Sequence, residues 1–531
     1  MQAIQMILSL AFLGFCVWAL FRGAGIVGTW LNNTPALPRI GVFIATAAIA
    51  NTFWPGWSMA TGGLGFVCWT IGIAFCAGWL MRFGGGGYNA DHVRGNTIVP
   101  LNTVLRILRG TPSRIKIGEV PLPVKAECEH ILLSGATGTG KSQAFHQILR
   151  PARELGHRAI IPDVGGSFAE RYYQPGDVIL NPFDSRSTPW SPLAEMRDEW
   201  DAKRIANSMI PDGEGSSKEW NGYAQGVLSA VLARVWESGC GTNAELCRLL
   251  LTAPQAELKQ VVSGTSAGRL FEDGNDRMLA SVLSIVSTYV SPLTRLNPEA
   301  GSDAFSLRDW IDGDGKNWVF FNFTDSQFAE LKPLVAASID IAVSQTLDLP
   351  ESETRRIWFS LDEFATFGRI NSISDALTKI RKKGGCVVMG LQSISQVREA
   401  YGREGAQTLL ANLGTWLVLR AGDAETADYM SRYIGDEDVR RETVSTSSRG
   451  FEAATTNTGS EYRTQRAVLP SEISQLESRV GILNIVNATG VIPPCVVQIP
   501  IDKHPKVAAA YEPKPREKRL MQSAEPAAEA A

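Results

Sequence analysis

Residues 130–149 read HILLSGATGTGKSQAFHQIL, an apolar run, a glycine-rich turn and a helical run in unbroken succession. Gly135, Gly140, Lys141 and Ser142 fill the pattern GxxxxGK[ST], and strand, loop and helix is the context a phosphate-binding loop requires. The nucleotide-binding stretch is Gly135, Ala136, Thr137, Gly138, Thr139, Gly140, Lys141, Ser142 and Gln143. Its glycines let the backbone curl so that amides from Gly138 to Ser142 face phosphate, and the helix N-terminus adds the positive end of its dipole. Lys141 is placed to reach the β- and γ-phosphates and Ser142 to ligate magnesium, which makes ATP and Mg2+ the expected ligands.

A second stretch, IWFSLDEF at 357–364, ends an apolar run on two adjacent carboxylates, Asp362 and Glu363. Such a pair at the edge of a low-dielectric interior is costly unless something compensates it. A cation on Asp362 is that compensation, and Glu363 is then placed to polarise the water that attacks the γ-phosphate. The next apolar run ends in GLQS, which puts Gln392 at the same sheet edge as a candidate γ-phosphate sensor. Between these runs LTKIRKKGG gathers Lys379, Arg381, Lys382 and Lys383. Three readings stand side by side there: a solvated helix end stopped by Gly384, contact with a DNA backbone, and an arginine finger, Arg381, offered to a neighbouring subunit.

Outward from these motifs the chain alternates. Short β-rich runs at 130, 158 and 177 resume at 317, 356, 386 and 415, with helical runs between, and this alternation implies a parallel α/β sheet. From 191 to 301 the β-rich runs vanish and the apolar residues recur at helical spacing, as in YAQGVLSAVLARVW, so a helical unit is inserted there. Residues 83–114, opening on FGGGG, read as a linker, and 513–531 as a disordered tail rich in Pro, Ala and charge.

Before the linker, Met1 to Met81 carries only Arg22 and Arg39 as charged side chains. Ile4 to Leu20 and Gly63 to Leu80 approach the length that crosses a bilayer, and Met1 to Gln5 lacks the basic start of a cleavable signal, so 1–82 reads as a retained transmembrane region. Two helices place both termini on one side, whereas Arg22 and Arg39 in a cytoplasmic loop favour three. The eight cysteines include no CxxC pair and the five histidines no HExxH, which disfavours a disulfide framework, a zinc site and a membrane zinc protease. A net charge of −3 argues against a protein that coats DNA through bulk electrostatics, while leaving room for a local basic channel.

The anchored N-terminus, GATGTGKS, ILNPFDSRSTPWSPL at 179, the helical insertion, SLDEFATFGRI and DALTKIRKKGGCVVMGLQSISQV together resemble the type IV secretion coupling proteins of conjugative plasmids. The similarity runs over nearly the whole chain and is strongest at 130–195 and 356–425. It implies a RecA-like nucleotide-binding domain at 115–190 and 302–512 with an all-α domain inserted at 191–301. It further implies a homo-hexameric ring on the bacterial inner membrane with the ATPase domain in the cytoplasm. Such a ring receives single-stranded DNA with its relaxase and accessory proteins and pumps it into the channel components of the secretion system. The loop IIPDVGGSF departs from the family's aspartate-proline order, so the resemblance assigns no role to Asp163. Two alternatives remain at this level: an FtsK-type motor on double-stranded DNA, and a membrane scaffold whose nucleotide site controls only assembly.

Overall fold

The computed structural model describes residues 91–515, except 214, 273, 448–454 and 487–491. The expected transmembrane region, the first part of the linker and residues 516–531 of the expected tail lie outside the described residues. Among the described residues no helix is long and apolar enough to cross a membrane.

Nine strands form the central sheet: β1 Ile131–Ser134, β2 Arg158–Val164, β3 Val178–Ile179, β4 Val319–Phe323, β5 Ile357–Leu361, β6 Gly385–Leu391, β7 Thr415–Val418, β8 Val480–Ile485 and β9 Ile492–Gln498. Their order is β9-β8-β7-β1-β6-β5-β2-β4-β3. From β7 to β3 every neighbouring pair is parallel, whereas β8 and β9 join antiparallel at one edge. Every residue of β1, β4, β5 and β6 is buried, as expected of parallel strands covered on both faces.

Alternation along the strands divides the interior in two. Ile131, Leu133, Trp358, Cys386 and Val388 enter one core with Phe145, Ile148 and Leu149 of α1, Lys141–Glu154. Leu132, Ile357, Phe359, Val387 and Met389 enter the other. That second core is continuous with the helical segment between β3 and β4, whose main helices are α2 Asp201–Met209, α3 Ser217–Glu237 and α4 Asp276–Val290. Val227, Leu228, Val231, Val282 and Val286 are wholly buried there, the reason the apolar spacing in this stretch is helical.

The 24-residue α5, Asp325–Asp348, starts on a capping box in which the Thr324 hydroxyl accepts from the Gln327 amide and the Gln327 side chain accepts from the Thr324 amide. Its Asp340 reaches across to other elements: its carboxylate accepts from the Ser208 hydroxyl of α2 at 2.5 Å. It also accepts from the amide and hydroxyl of Ser372, both at 2.7 Å, just ahead of α6, Ile373–Ile380.

Part of the segment read as a linker is built into the fold. Leu101–Ile107 is helical and Ser113–Ile117 begins a hairpin with Val120–Pro123, because Val104, Leu108, Ile115 and Ile117 are all buried against the sheet's first core. Among the described residues, 91–92, 439–447 and 455–463 belong to a second, smaller unit. Its described residues lie largely in two twelve-residue strands, Asp436–Ser447 and Thr455–Arg466.

Candidate active site

The loop between β1 and α1 is held at both ends. The Gly135 amide donates to Leu391 O of β6 at 2.9 Å, and the Ala136 amide to Arg420 O, just past β7, at 2.8 Å. Gly138 and Gly140 have φ of 76° and 110°, a region that glycine enters without the strain a Cβ brings. Wholly buried Thr139 closes the curl by donating from Oγ1 to Ala136 O at 2.7 Å. Lys141, 7 % exposed, donates from Nζ to Gly135 O at 2.7 Å. Burial lowers its ammonium pKa, and the negative charges of Asp362 and Glu363 work against that shift.

Strand order explains how distant motifs meet. β6 lies between β1 and β5, so Gln392, immediately after β6, falls between the loop and the carboxylates that follow β5. The crossing is close: a Cβ on Gly390 would stand 1.7 Å from Asp362 O, so this position has room for glycine alone. Behind Glu363, buried Phe364 and Phe367 pin a short turn, and Thr366 donates from Oγ1 to Glu363 O at 2.6 Å. Gln392 donates from Nε2 to Glu363 Oε1, and its own Oε1 accepts from Thr137 Oγ1 at 3.4 Å.

Asp362 Oδ1 is buried and has no hydrogen-bond partner. Burial pushes the Asp362 carboxyl up to about 6; Lys141 opposes this, Glu363 adds to it, and a hydrogen bond with Ser142 opposes it again. An unsatisfied buried carboxylate oxygen beside a serine hydroxyl suits a hard cation that takes few protein oxygens and keeps its remaining coordination for water and phosphate. Positive-φ glycines, Lys141, Ser142 and Asp362 therefore fit a nucleoside triphosphate with magnesium. Together they line a cleft of about 430 Å³ that also includes Glu363 and Gln392.

The same cleft has a wall that the motifs did not foretell, made by Ser478, Arg479 and Ile501. Arg479 takes φ 67°, which lets its amide donate to Thr139 O at 2.8 Å while its carbonyl accepts from the Ile499 amide at 2.7 Å. Its Cγ would stand 2.9 Å from a Cβ on Gly140, a second reason for glycine there. Gln143 is tied to this side too, because its Oε1 accepts from the Asp502 amide at 2.7 Å. No short motif marks these residues. They arrive because β8 folds back beside β7.

Arg381 is placed elsewhere. It opens the turn Arg381–Lys383 ahead of β6, whereas Gln392 follows that seven-residue strand, so roughly 20 Å of extended chain separates the two. Arg381 and Lys382 are exposed, and Arg381 is near enough to Glu129 to oppose the upward shift that burial gives the Glu129 carboxyl. Gly384, φ 86°, ends the turn as a left-handed stop. Asp163, to which no role was assigned, is an acceptor inside the fold: its Oδ2 receives the Phe168 and Ala169 amides at 2.8 and 2.7 Å.

Comparison with known proteins decides the family, since residues 114–500, well over half of the chain, match the model of the type IV secretion-system coupling protein DNA-binding domain. The chain belongs to this family. The coupling protein TraD of Escherichia coli K12 is 27% identical over 451 residues, 83% of this chain and 62% of TraD. Protein VirD4 of Rhizobium radiobacter is 26% identical over 287 residues, 49% of this chain and 41% of that relative. The chain thus spans about three fifths or less of these curated relatives. Among solved structures, the bacterial conjugative coupling protein TrwBdeltaN70 matches with a TM-score of 0.73 at 30% identity, covering 81% of this chain and 98% of that one. TrwB in complex with ADP and Mg2+ matches at 0.72 with 29% identity, covering 81% of this chain and 98% of that one.

Proposed function

We propose that this coupling protein is an ATPase of the bacterial inner membrane that works as a homo-hexamer. In this reading it passes single-stranded DNA, delivered with its relaxase and accessory proteins, to a type IV secretion channel during conjugation. The observation that carries the reading is the convergence of Lys141, Ser142, Asp362, Glu363 and Gln392 on one cleft from three neighbouring strands. A site serving only assembly could dispense with Glu363. Here Gln392 holds its carboxylate and the Phe364–Phe367 turn its backbone carbonyl. The complexes of TrwB with an ATP analogue and with ADP and Mg2+ support nucleotide and magnesium as ligands.

The roles follow from position. Amides of Gly138 to Ser142 cradle the phosphates, and Lys141, freed from Gly135 O, moves its ammonium onto the β- and γ-oxygens. Ser142 and Asp362 would hold magnesium, which would supply neutralisation of phosphate charge. Glu363 orients the attacking water and accepts its proton, while Gln392 fixes Glu363 and presents its amide to the γ-phosphate. In this reading Arg381, which precedes β6 while the cleft lies past its other end, is the finger offered to the neighbouring subunit.

ATP turnover by the full chain, measured alone and with single- or double-stranded DNA, tests this function. The expected result is stimulation by single strands above that by duplex. Equal rates in all three conditions contradict a DNA motor, and stimulation by duplex alone points to a double-strand translocase.

A further inference from the structure

We propose that Cys128 and Cys386 are a redox modification site, two buried thiols poised to close a reversible disulfide between the turn that leads into β1 and the first residues of β6. The two residues are 258 positions apart in sequence, yet their Sγ atoms are 3.2 Å from each other, and both are free thiols. Cys128 is 8% exposed and Cys386 wholly buried. The pairing of β1 with β6, Ile131 opposite Val388, fixes this proximity in the backbone. A disulfide requires about 2.05 Å between the sulfurs, so closing the bond asks for a shift of roughly 1 Å.

The surroundings make the two thiols unequal. Next to Cys128, Glu127 is fully buried and accepts through Oε2 from Arg114 Nη2 and Arg356 Nε, each at 2.8 Å. Cys128 is held below the usual thiol range, by the hydrogen bond from Cys386 and by the Arg356 charge, whereas burial pushes Cys386 well up. Cys128 is therefore the attacking thiolate and Cys386 the resolving thiol.

With a low-molecular-weight disulfide as oxidant, the Cys128 thiolate attacks one sulfur, the oxidant's S–S bond breaks, and one thiolate leaves. Cys386, giving up its proton to solvent, then attacks the Cys128 side of the mixed disulfide and expels the second thiolate. Two electrons pass from the protein thiols to the oxidant, and excess dithiol reverses both steps.

The test treats the full chain with glutathione disulfide a few degrees below its melting temperature, then denatures it in alkylating agent and maps non-reduced peptides. Exposed Cys240 serves as the internal control, since it must take up glutathione for the treatment to count. The expected product is a Cys128–Cys386 linked peptide about 2 Da lighter than its two reduced halves. It should vanish with dithiothreitol and be missing in both Cys386→Ala and Cys128→Ser. The stapled chain should melt several degrees higher, because the bond closes a long loop. Modified Cys240 beside fully alkylatable Cys128 and Cys386 overturns the proposal. So does separate glutathione on each of the two, or a link from either to another cysteine.

Discussion

Gln392 donates its side-chain amide to Glu363 Oε1, tying the residue after β6 to the carboxylate after β5. Because Thr137 of the phosphate loop donates to the same glutamine, Gln392 links the loop to the Glu363 carboxylate. Gln392→Ala removes this link while leaving Lys141, Ser142 and Asp362 in place. The expected outcome is a fall in kcat of about 10²-fold with nucleotide affinity kept within about threefold. Steady-state kinetics together with nucleotide titration check the split. A loss of affinity with kcat unchanged would make Gln392 a binding residue.

Arg381 lies at the far end of β6 from its own cleft, and in the proposed hexamer it acts from one subunit on the next. The planar guanidinium matters for charge on transferring phosphate, hence Arg381→Lys should be nearly as damaging as Arg381→Ala, each losing about 10³-fold in rate. Mixing Arg381→Ala with Lys141→Ala chains should restore part of the turnover, since some interfaces then pair an intact loop with an intact arginine. If mixed assemblies form and stay inactive at every ratio, Arg381 plays no part in trans.

Asp163 gives the fold a pH dependence. Burial pushes its carboxyl up to about 7 against the pull of the Ala169 and Phe168 amides, and the Asp362 charge adds to the rise. The folded value lies above the unfolded one near 3.8, so the folded chain holds a proton that the unfolded chain has released. The resulting stabilisation is complete below about pH 4 and is lost as pH rises through about 7. Buried His130, His146 and His157, lowered to about 4 chiefly by burial, act in the opposite sense at mildly acidic pH, so the readout is a difference. Without nucleotide, the denaturant midpoint of the unmutated chain minus that of Asp163→Asn, which keeps an acceptor without the charge, should fall between about pH 5 and pH 8.

Asp340 of α5 joins α2 of the helical insertion to the start of α6 through Ser208 on one side and Ser372 on the other. Asp340→Ala leaves the half-buried Ser372 amide and two hydroxyls to find other partners, at an expected cost of about 2–4 kcal/mol. Ser372→Ala keeps the contact to Ser208 and should cost about 1 kcal/mol. Equilibrium denaturation of the two variants measures the difference.

Local chemistry was legible in the sequence and long-range geometry was not. Gly135 to Ser142 announce themselves because strand, glycine turn and lysine are contiguous, and Asp362 and Glu363 because a charge pair ending an apolar run needs compensation. The parallel sheet followed from alternating runs, yet the placing of β6 between β1 and β5 depends on crossovers that no window of sequence contains. Ser478, Arg479 and Ile501 carry no motif, and the left-handed Arg479 is set by its two backbone hydrogen bonds across the fold. The helix Leu101–Ile107 hid in a presumed linker because it is seven residues long and buries Val104 alone within its span.

The central claim is that the cleft hydrolyses ATP with Glu363 as the group that activates water. Its most direct test loads full-length Glu363→Gln with ATP and Mg2+, removes free nucleotide, and identifies what stays bound, with Lys141→Ala as the control that should fail to hydrolyse and bind more weakly. The account predicts intact triphosphate on the Glu363→Gln chain, because glutamine keeps the size of the side chain and its hydrogen bond to Gln392 without a base. Diphosphate produced at the unmutated rate would contradict it.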